Sequence, residues 1–227
     1  MINITKSANA PTSLAKEQAK SKSENYRCEG VIGQLVMDFH DKCYICEDYG
    51  SSTLNTEHFK PHKGDRVLMF EWANLFLACG HCNNQKLANP MFDNILDCTN
   101  DKNLILEWIK FEIKSFPKEY AQTTAISQDV SVLNTVALLQ KVYNSDNTEL
   151  KTIEAANIRE RLINEMLAFN NLVNEYFAST ILEEEIPTFL RKIRRMLSVK
   201  SPFTAFKIWV VKSNPYLLKE FQTFLPQ

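Results

Sequence analysis

The sequence predicts an α+β fold in which a small core braced by a metal precedes a mainly α-helical C-terminal subdomain. Three observations predict it. Two Cys-x-x-Cys pairs, Cys43 with Cys46 and Cys79 with Cys82, frame an insert of 32 residues. The segment from Glu107 to Phe116 alternates apolar with charged residues, the period of a half-exposed strand. From about Ser131 onward apolar residues recur at helical spacing instead. A chain of 227 residues, 44% apolar and 23% charged, can bury one large core, which excludes a disordered, collagen-like or disulfide-scaffold protein. With 26 basic against 27 acidic residues the formal charge is -1, so any grip on a polyanion has to be a local patch.

Residues 1–24 carry few large apolar side chains and are expected to form a flexible arm. Residues 25–100 form the expected core. There Val31, Leu35 and Phe39 step by four, with Ile32 and Val36 on the adjoining stripe, so Tyr26 to Phe39 predicts an amphipathic helix leading to Cys43. The insert between the cysteine pairs carries LNTEHF, a polar loop and NLFLA, and is expected to hold a strand pair. Residues 101–227 are expected to open with a hairpin over Leu104 to Phe116. They continue as helices over VLNTVALLQKVY, IEAANIRERLINEMLAFNNLVNEYFA and PTFLRKIRRMLSV, with NSDN and SP as breaks.

Each cysteine pair is spaced so that both thiolates can turn toward one ion, and two such knuckles complete a tetrahedral site. Four thiolates point to structural zinc; the alternatives are a redox dithiol or ordinary buried cysteines. Cys28 and Cys98 are left over. His81, inside the second knuckle, is expected at its surface rather than as a ligand. Glu57 and His58 in the insert, Asn74 ahead of the second knuckle and Asn83 just after it supply an acid, a base and two amides that a zinc scaffold would bring together. Taken singly these are a solvated strand residue, a core histidine and two turn or cap residues.

The strings CYIC, TEHFKPH and WANLFLACGHCNNQK resemble the HNH nucleases, whose ββα-metal, treble-clef-like core is often braced by two CxxC knuckles. Within that family they are similar to the PtuB-type nuclease subunits of Septu and retron-linked anti-phage systems. The resemblance implies that His58 is a general base, that Glu57 and Asn83 hold a catalytic divalent ion, and that Asn74 holds the His58 loop. Asn83 stands where the family often has His, and a carboxylate with an amide oxygen suits Mg²⁺ or Mn²⁺. Lys60, His62, Lys63, Arg66 and Lys86 would form a phosphate-facing rim, although a solvated polar loop accounts for them as well. Trp72, beside Leu75 and Phe76, is expected to pack rather than to stack on a base.

The expected activity is therefore metal-dependent hydrolysis of phosphodiester bonds in DNA or RNA. The resemblance further implies an anti-phage effector working with an ABC-type, PtuA-like ATPase subunit. The alternative is a noncatalytic zinc-knuckle module that binds nucleic acid or protein. Between Ile186 and Lys219 lie Arg191, Lys192, Arg194, Arg195, Lys200, Lys207, Lys212 and Lys219 and no acid, read either as a nucleic-acid contact or as the solvated face of helices. No apolar run approaches the ~18–20 residues of a membrane helix, and the first residues lack a secretory apolar stretch, so a cytoplasmic protein is expected.

Overall fold

The computed structural model describes residues 1–49, 53–178 and 180–226. Residues 50–52 of the expected core, and 179 and 227 of the expected C-terminal subdomain, lie outside the described residues.

The first residues correct the expectation of a flexible arm. Met1, Ile2 and Ile4 are buried, and the Ile4 N–H donates to the Cys98 carbonyl at 2.8 Å. Lys6 Nζ donates to the carbonyls of Trp72 and, at 2.7 Å, of Leu75, with its charge 4.2 Å from the Trp72 ring centre. A short helix, α1 (Thr12–Ala19), buries Leu14. The arm has few apolar residues, but several of these are buried at about 1.5–3 kcal/mol each, enough to hold a segment that composition alone reads as solvated.

Helix α2 (Val31–Asp38) starts after Gly30, whose φ of 83° lies in the left-handed region open to glycine. It buries Val31 and Leu35, and Phe39 follows on the same stripe, while Ile32 stays 41% exposed. Strand β1 (Leu54–His58) then runs to a loop and a short helix, α3 (Arg66–Phe70), capped by the Asp65 carboxylate. Strand β2 (Leu75–Cys79) returns antiparallel, pairing Leu54 with Cys79 and His58 with Leu75, and leads directly into α4 (Gly80–Leu87). Every residue of β2 is buried, which is why its sequence is a continuous apolar run.

After α5 (Ile105–Trp108), strands β3 (Ile109–Lys114) and β4 (Tyr120–Ala125) form an antiparallel hairpin, with Ile109 opposite Ala125 and Lys114 opposite Tyr120. Ile109, Phe111, Ala121 and Thr123 face inward, so the charged alternates face out. The chain continues through α6 (Val130–Asn144), α7 (Glu149–Tyr176), α8 (Ile186–Met196), α9 (Thr204–Ser213) and α10 (Pro215–Phe221). Asp129, Thr148 and Asn214 cap α6, α7 and α10 through side-chain oxygens that accept first-turn N–H bonds. The fold is thus α+β with two small antiparallel sheets.

One apolar cluster joins the arm, α2, β2, the hairpin, α6 and the first half of α7; a second joins Phe169 and Val173 to α8, α9 and α10. Polar joints fasten the helical half to the first cysteine pair. Lys42 Nζ donates to the Ser201 carbonyl at 2.8 Å, and Glu47 Oε2 accepts from the Ala205 N–H at 3.3 Å. Arg161 grips Asp48 through Nε at 3.0 Å and Nη2 at 2.6 Å, and the Tyr143 hydroxyl donates to the Cys46 carbonyl at 2.8 Å. Among the described residues no helix is long and apolar enough to cross a membrane.

Candidate functional site

The first knuckle is a tight turn in which the Glu47 N–H donates to the Cys43 carbonyl at 2.9 Å and Glu47 takes a left-handed φ of 58°. The Tyr44 N–H donates to the Leu77 carbonyl at 2.9 Å, which hangs that turn on β2. The second knuckle is the entry to α4, where the Cys79 sulfur accepts from the Cys82 N–H. Cys43, Cys46, Cys79 and Cys82 therefore converge, their sulfurs within 4.8 Å of one another and all four residues buried. Sulfurs around one zinc at ~2.3 Å stand ~3.8 Å apart, so the donor set fits a tetrahedral metal such as zinc. Burial pushes the Cys46 and Cys82 thiols up. At Cys43 burial pushes the same way, but hydrogen bonds from the other three thiols outweigh it and bring the group well below its ordinary value. A bound cation would complete the ionisation of this cluster. Cys28 and Cys98 are buried and unbridged, apart from this group.

Glu57, next to last in β1, is 4% exposed. Its Oε1 accepts from Lys86 Nζ at 2.5 Å and from the Tyr44 hydroxyl at 3.2 Å, whereas Oε2 is buried with no hydrogen-bond partner. Burial pushes the carboxyl above its ordinary range, with Lys86 pulling against that push. Asn83, in the first turns of α4, likewise leaves a buried Oδ1 without a partner. Two acceptor oxygens left bare inside a protein call for a donor or a cation.

His58 ends β1. Its Nε2 lies 2.9 Å from the Met69 carbonyl, and a carbonyl can only accept, so Nε2 carries the proton and Nδ1 keeps its lone pair. The rings of Tyr26 and His62 stand 4.3 and 4.7 Å from the imidazole. Burial lowers the His58 pKa below the ordinary value, favouring the neutral ring. Asn74 ties down the loop beyond it: Oδ1 accepts from the Lys60 N–H at 2.7 Å, and Nδ2 donates to the carbonyls of Lys60 at 2.9 Å and Leu68 at 3.1 Å.

The phosphate-facing rim is corrected at two positions. Lys86 is buried, and its three ammonium protons are matched by Glu57, the His58 carbonyl at 3.1 Å and the Phe59 carbonyl at 2.8 Å, leaving none for a phosphate. Arg66 turns back to the N-terminal arm, where Nη2 donates to the Gln18 carbonyl at 2.8 Å and Nη1 to that of Ser23. Lys60 and Lys63 are exposed and His62 is half-buried. His81 is corrected too: it is 5% exposed and bridges the Val142 carbonyl and the Glu154 carboxylate, each at 2.8 Å, so it is a strut between α4 and the helical half. Trp72 is buried and donates Nε1–H to the Ser7 carbonyl.

Three participants escape a reading of the sequence. Tyr44 lies inside the first knuckle, where it reads as a spacer, yet its hydroxyl reaches Glu57. Tyr26 stacks edge-on against His58 from beyond the arm. Gln85, 1% exposed, leaves Nε2 unpaired beside Lys86 in sequence; its position two residues after Asn83 is the one signal that could have found it. No protein-family model and no curated protein matches the chain.

Proposed function

We propose that this chain is a metal-dependent endonuclease of the HNH type, with β1, β2 and α4 as its ββα-metal unit, zinc as its brace and DNA or RNA as its substrate. The observation that carries the reading is the pair of bare buried oxygens, Glu57 Oε2 and Asn83 Oδ1, on the same small unit as a histidine whose Nδ1 is left as an acceptor. Glu57 and Asn83 would hold Mg²⁺ or Mn²⁺, a hard ion that accepts few protein oxygens and keeps its waters. When bound, that ion supplies charge relief at the phosphoryl oxygens and at the departing 3′ oxygen.

The chain's own residues do the rest. His58 Nδ1 takes the proton of the attacking water, while the Nε2–H bond to Met69 fixes the ring and the tautomer. Asn74 holds the Lys60 and Leu68 backbone, and so the loop that leaves His58. Water adds to phosphorus, the bond to the 3′ oxygen breaks, that oxygen takes a proton from solvent while His58 returns its own there, and the products are a 3′-hydroxyl and a 5′-phosphate. In the fuller reading the nuclease is a cytoplasmic anti-phage effector restrained or directed by an ABC-type ATPase.

One observation favours a second reading. Lys86 already neutralises Glu57 from inside, an arrangement that a noncatalytic zinc-knuckle module binding nucleic acid or protein could use for stability alone. The test incubates zinc-loaded protein, alone and with an ABC-type ATPase if one is encoded beside it, with DNA and RNA in Mg²⁺ or Mn²⁺. Cleavage by the wild type and a loss of about 10²-fold or more in His58→Ala supports the nuclease. Intact substrate in every combination, with zinc retained, leaves the binding module.

A further inference from the structure

Between α7 and α8 runs a groove of about 890 Å³ that the candidate nuclease site does not use. Arg191, Lys192, Arg194 and Arg195 all line it, against one acid, Glu175. All four cations are exposed. They differ from the other basic residues of this stretch: Lys207 is paired with Glu165 at 2.8 Å and Lys212 with Glu107 at 2.6 Å, whereas none of the four meets a carboxylate among the described residues. Arg191 donates to the Thr188 hydroxyl at 3.2 Å, and Lys192 and Arg194 lie over the rings of Phe189 and Phe224. A helix dipole favours cations in the last turn, but it does not gather them on the wall of a groove.

We propose that this groove grips the sugar-phosphate backbone of a nucleic acid. The choice of ligand rests on the nuclease reading; the presence of a polyanion site rests on the groove. Guanidinium forks match phosphate oxygens two at a time, and the neutral groups set among them, Asn171, Thr188 and Ser198, are the kind that bond phosphates and sugars. The apolar lining is Ala168, Leu172 and Met196, with part of it no larger than a methyl group. An amphipathic acidic helix needs a longer row of apolar anchors than this, which favours a strand backbone over an acidic protein segment. Phe203 and Phe206 are buried in the core, Phe189 is half-buried with Lys192 over its ring, and no aromatic residue lines the groove, so the grip reads charge and not sequence. It would add to the exposed Lys60 and Lys63 of the nuclease site, where Lys86 and Arg66 are engaged within the protein.

Binding of fluorescein-labelled 30-mer single-stranded DNA, duplex DNA and RNA to zinc-loaded His58→Ala protein, without divalent ion and from 50 to 200 mM salt, tests the proposal. In the triple variant Arg191→Glu, Arg194→Glu, Arg195→Glu, affinity for at least one probe falls about tenfold or more at low salt, and the slope of log K against log salt becomes shallower by about 2–3. The control Lys114→Glu, Lys118→Glu, Lys219→Glu makes the same change of charge at exposed positions outside the groove and changes both quantities much less. Equal losses in the two triple variants, unchanged binding in the groove variant, or no binding by the parent overturns the proposal. A labelled polyglutamate peptide that binds through the groove where nucleic acids do not overturns it in favour of an acidic protein partner. Cleavage is scored separately: groove-dependent binding with no cleavage by wild type keeps this inference and removes the nuclease, and cleavage with groove-independent binding does the reverse.

Discussion

Around β1, β2 and α4 the interior holds Glu57, Lys86, Gln85, His81 and Asn74, each at 5% exposure or less, together with four thiols. Where α7 to α10 meet, the contacts are those of Phe169, Val173, Ile193, Leu197, Ile208, Val211, Leu217 and Phe221, and Lys207, paired with Glu165, is the buried ion nearby. The second region is held by hydrocarbon, whose burial is non-directional and tolerant. The first adds to its apolar contacts a set of directional bonds, each of which fails if a partner is removed. It also holds three of the five buried side-chain atoms without partners among the described residues: Glu57 Oε2, Asn83 Oδ1 and Gln85 Nε2. A polar interior with vacant valences is costly as architecture and useful as a site.

Metal removal should separate the two regions most strongly. Structural zinc contributes on the order of 10–16 kcal/mol in small zinc domains. Chelation, or Cys82→Ser, is expected to strip hydrogen-exchange protection from β1, β2 and α4 while the amides of α9 retain more of theirs; an even loss across both regions would break the comparison. Lys86→Met comes next, with about 3–5 kcal/mol lost because a buried carboxylate is left uncompensated. Ile193→Ala in the second cluster should cost about 2–5 kcal/mol. The discriminating measurement is rescue: urea midpoints should recover in Glu57→Gln combined with Lys86→Met, whereas no second substitution of an ionisable group restores Ile193→Ala.

A smaller effect is expected at the joint between regions. Arg161→Ala removes the Nε and Nη2 hydrogen bonds to the buried Asp48 carboxylate and should lower stability by about 1.5–3 kcal/mol in the same urea assay. The smallest concerns His58, whose pKa burial lowers below the ordinary ~6.5. Between the lowered value and 6.5 the unfolded chain binds more protons than the folded one, so stability rises with pH across that window and is flatter there in His58→Ala. If His58 is the base, the acid limb of cleavage falls below pH 6.5 as well. An acid limb above 6.5 would place the titrating group elsewhere.

What was legible in the sequence follows the same division. Val31, Leu35 and Phe39 at steps of four, the unbroken apolar run of β2 and the alternation of β3 are periodic signals, because hydrocarbon burial leaves a period. The cysteine spacing was legible because coordination fixes ligand separation. Lys86 was not: by type it reads as solvent-facing, and only Glu57, 29 positions earlier on another element, makes its burial possible. His81 needs Glu154, 73 residues on, to become a strut. Arg66 reads as a phosphate contact until the carbonyls of the arm are seen around it. Directional partners distant in sequence leave no periodic trace, and the order of the N-terminal arm is hidden because composition averages over the few residues that anchor it.

The joints at the first knuckle set a schedule for the ribosome. Glu47 waits for Ala205, 158 residues downstream, and Lys42 waits for Ser201. At about 5–20 residues per second, the Ala205 N–H and the Ser201 carbonyl arrive about 8–30 s after the two charges, which until then have each other, 3.8 Å apart in the finished fold. A metal such as zinc could close the four thiols once Cys82 has emerged, well before the backbone partners of either charge in the helical half are made. Through that interval a metal-loaded knuckle would still lack its seal from the helical half, and a translational pause ahead of Ser201 would prolong that stage.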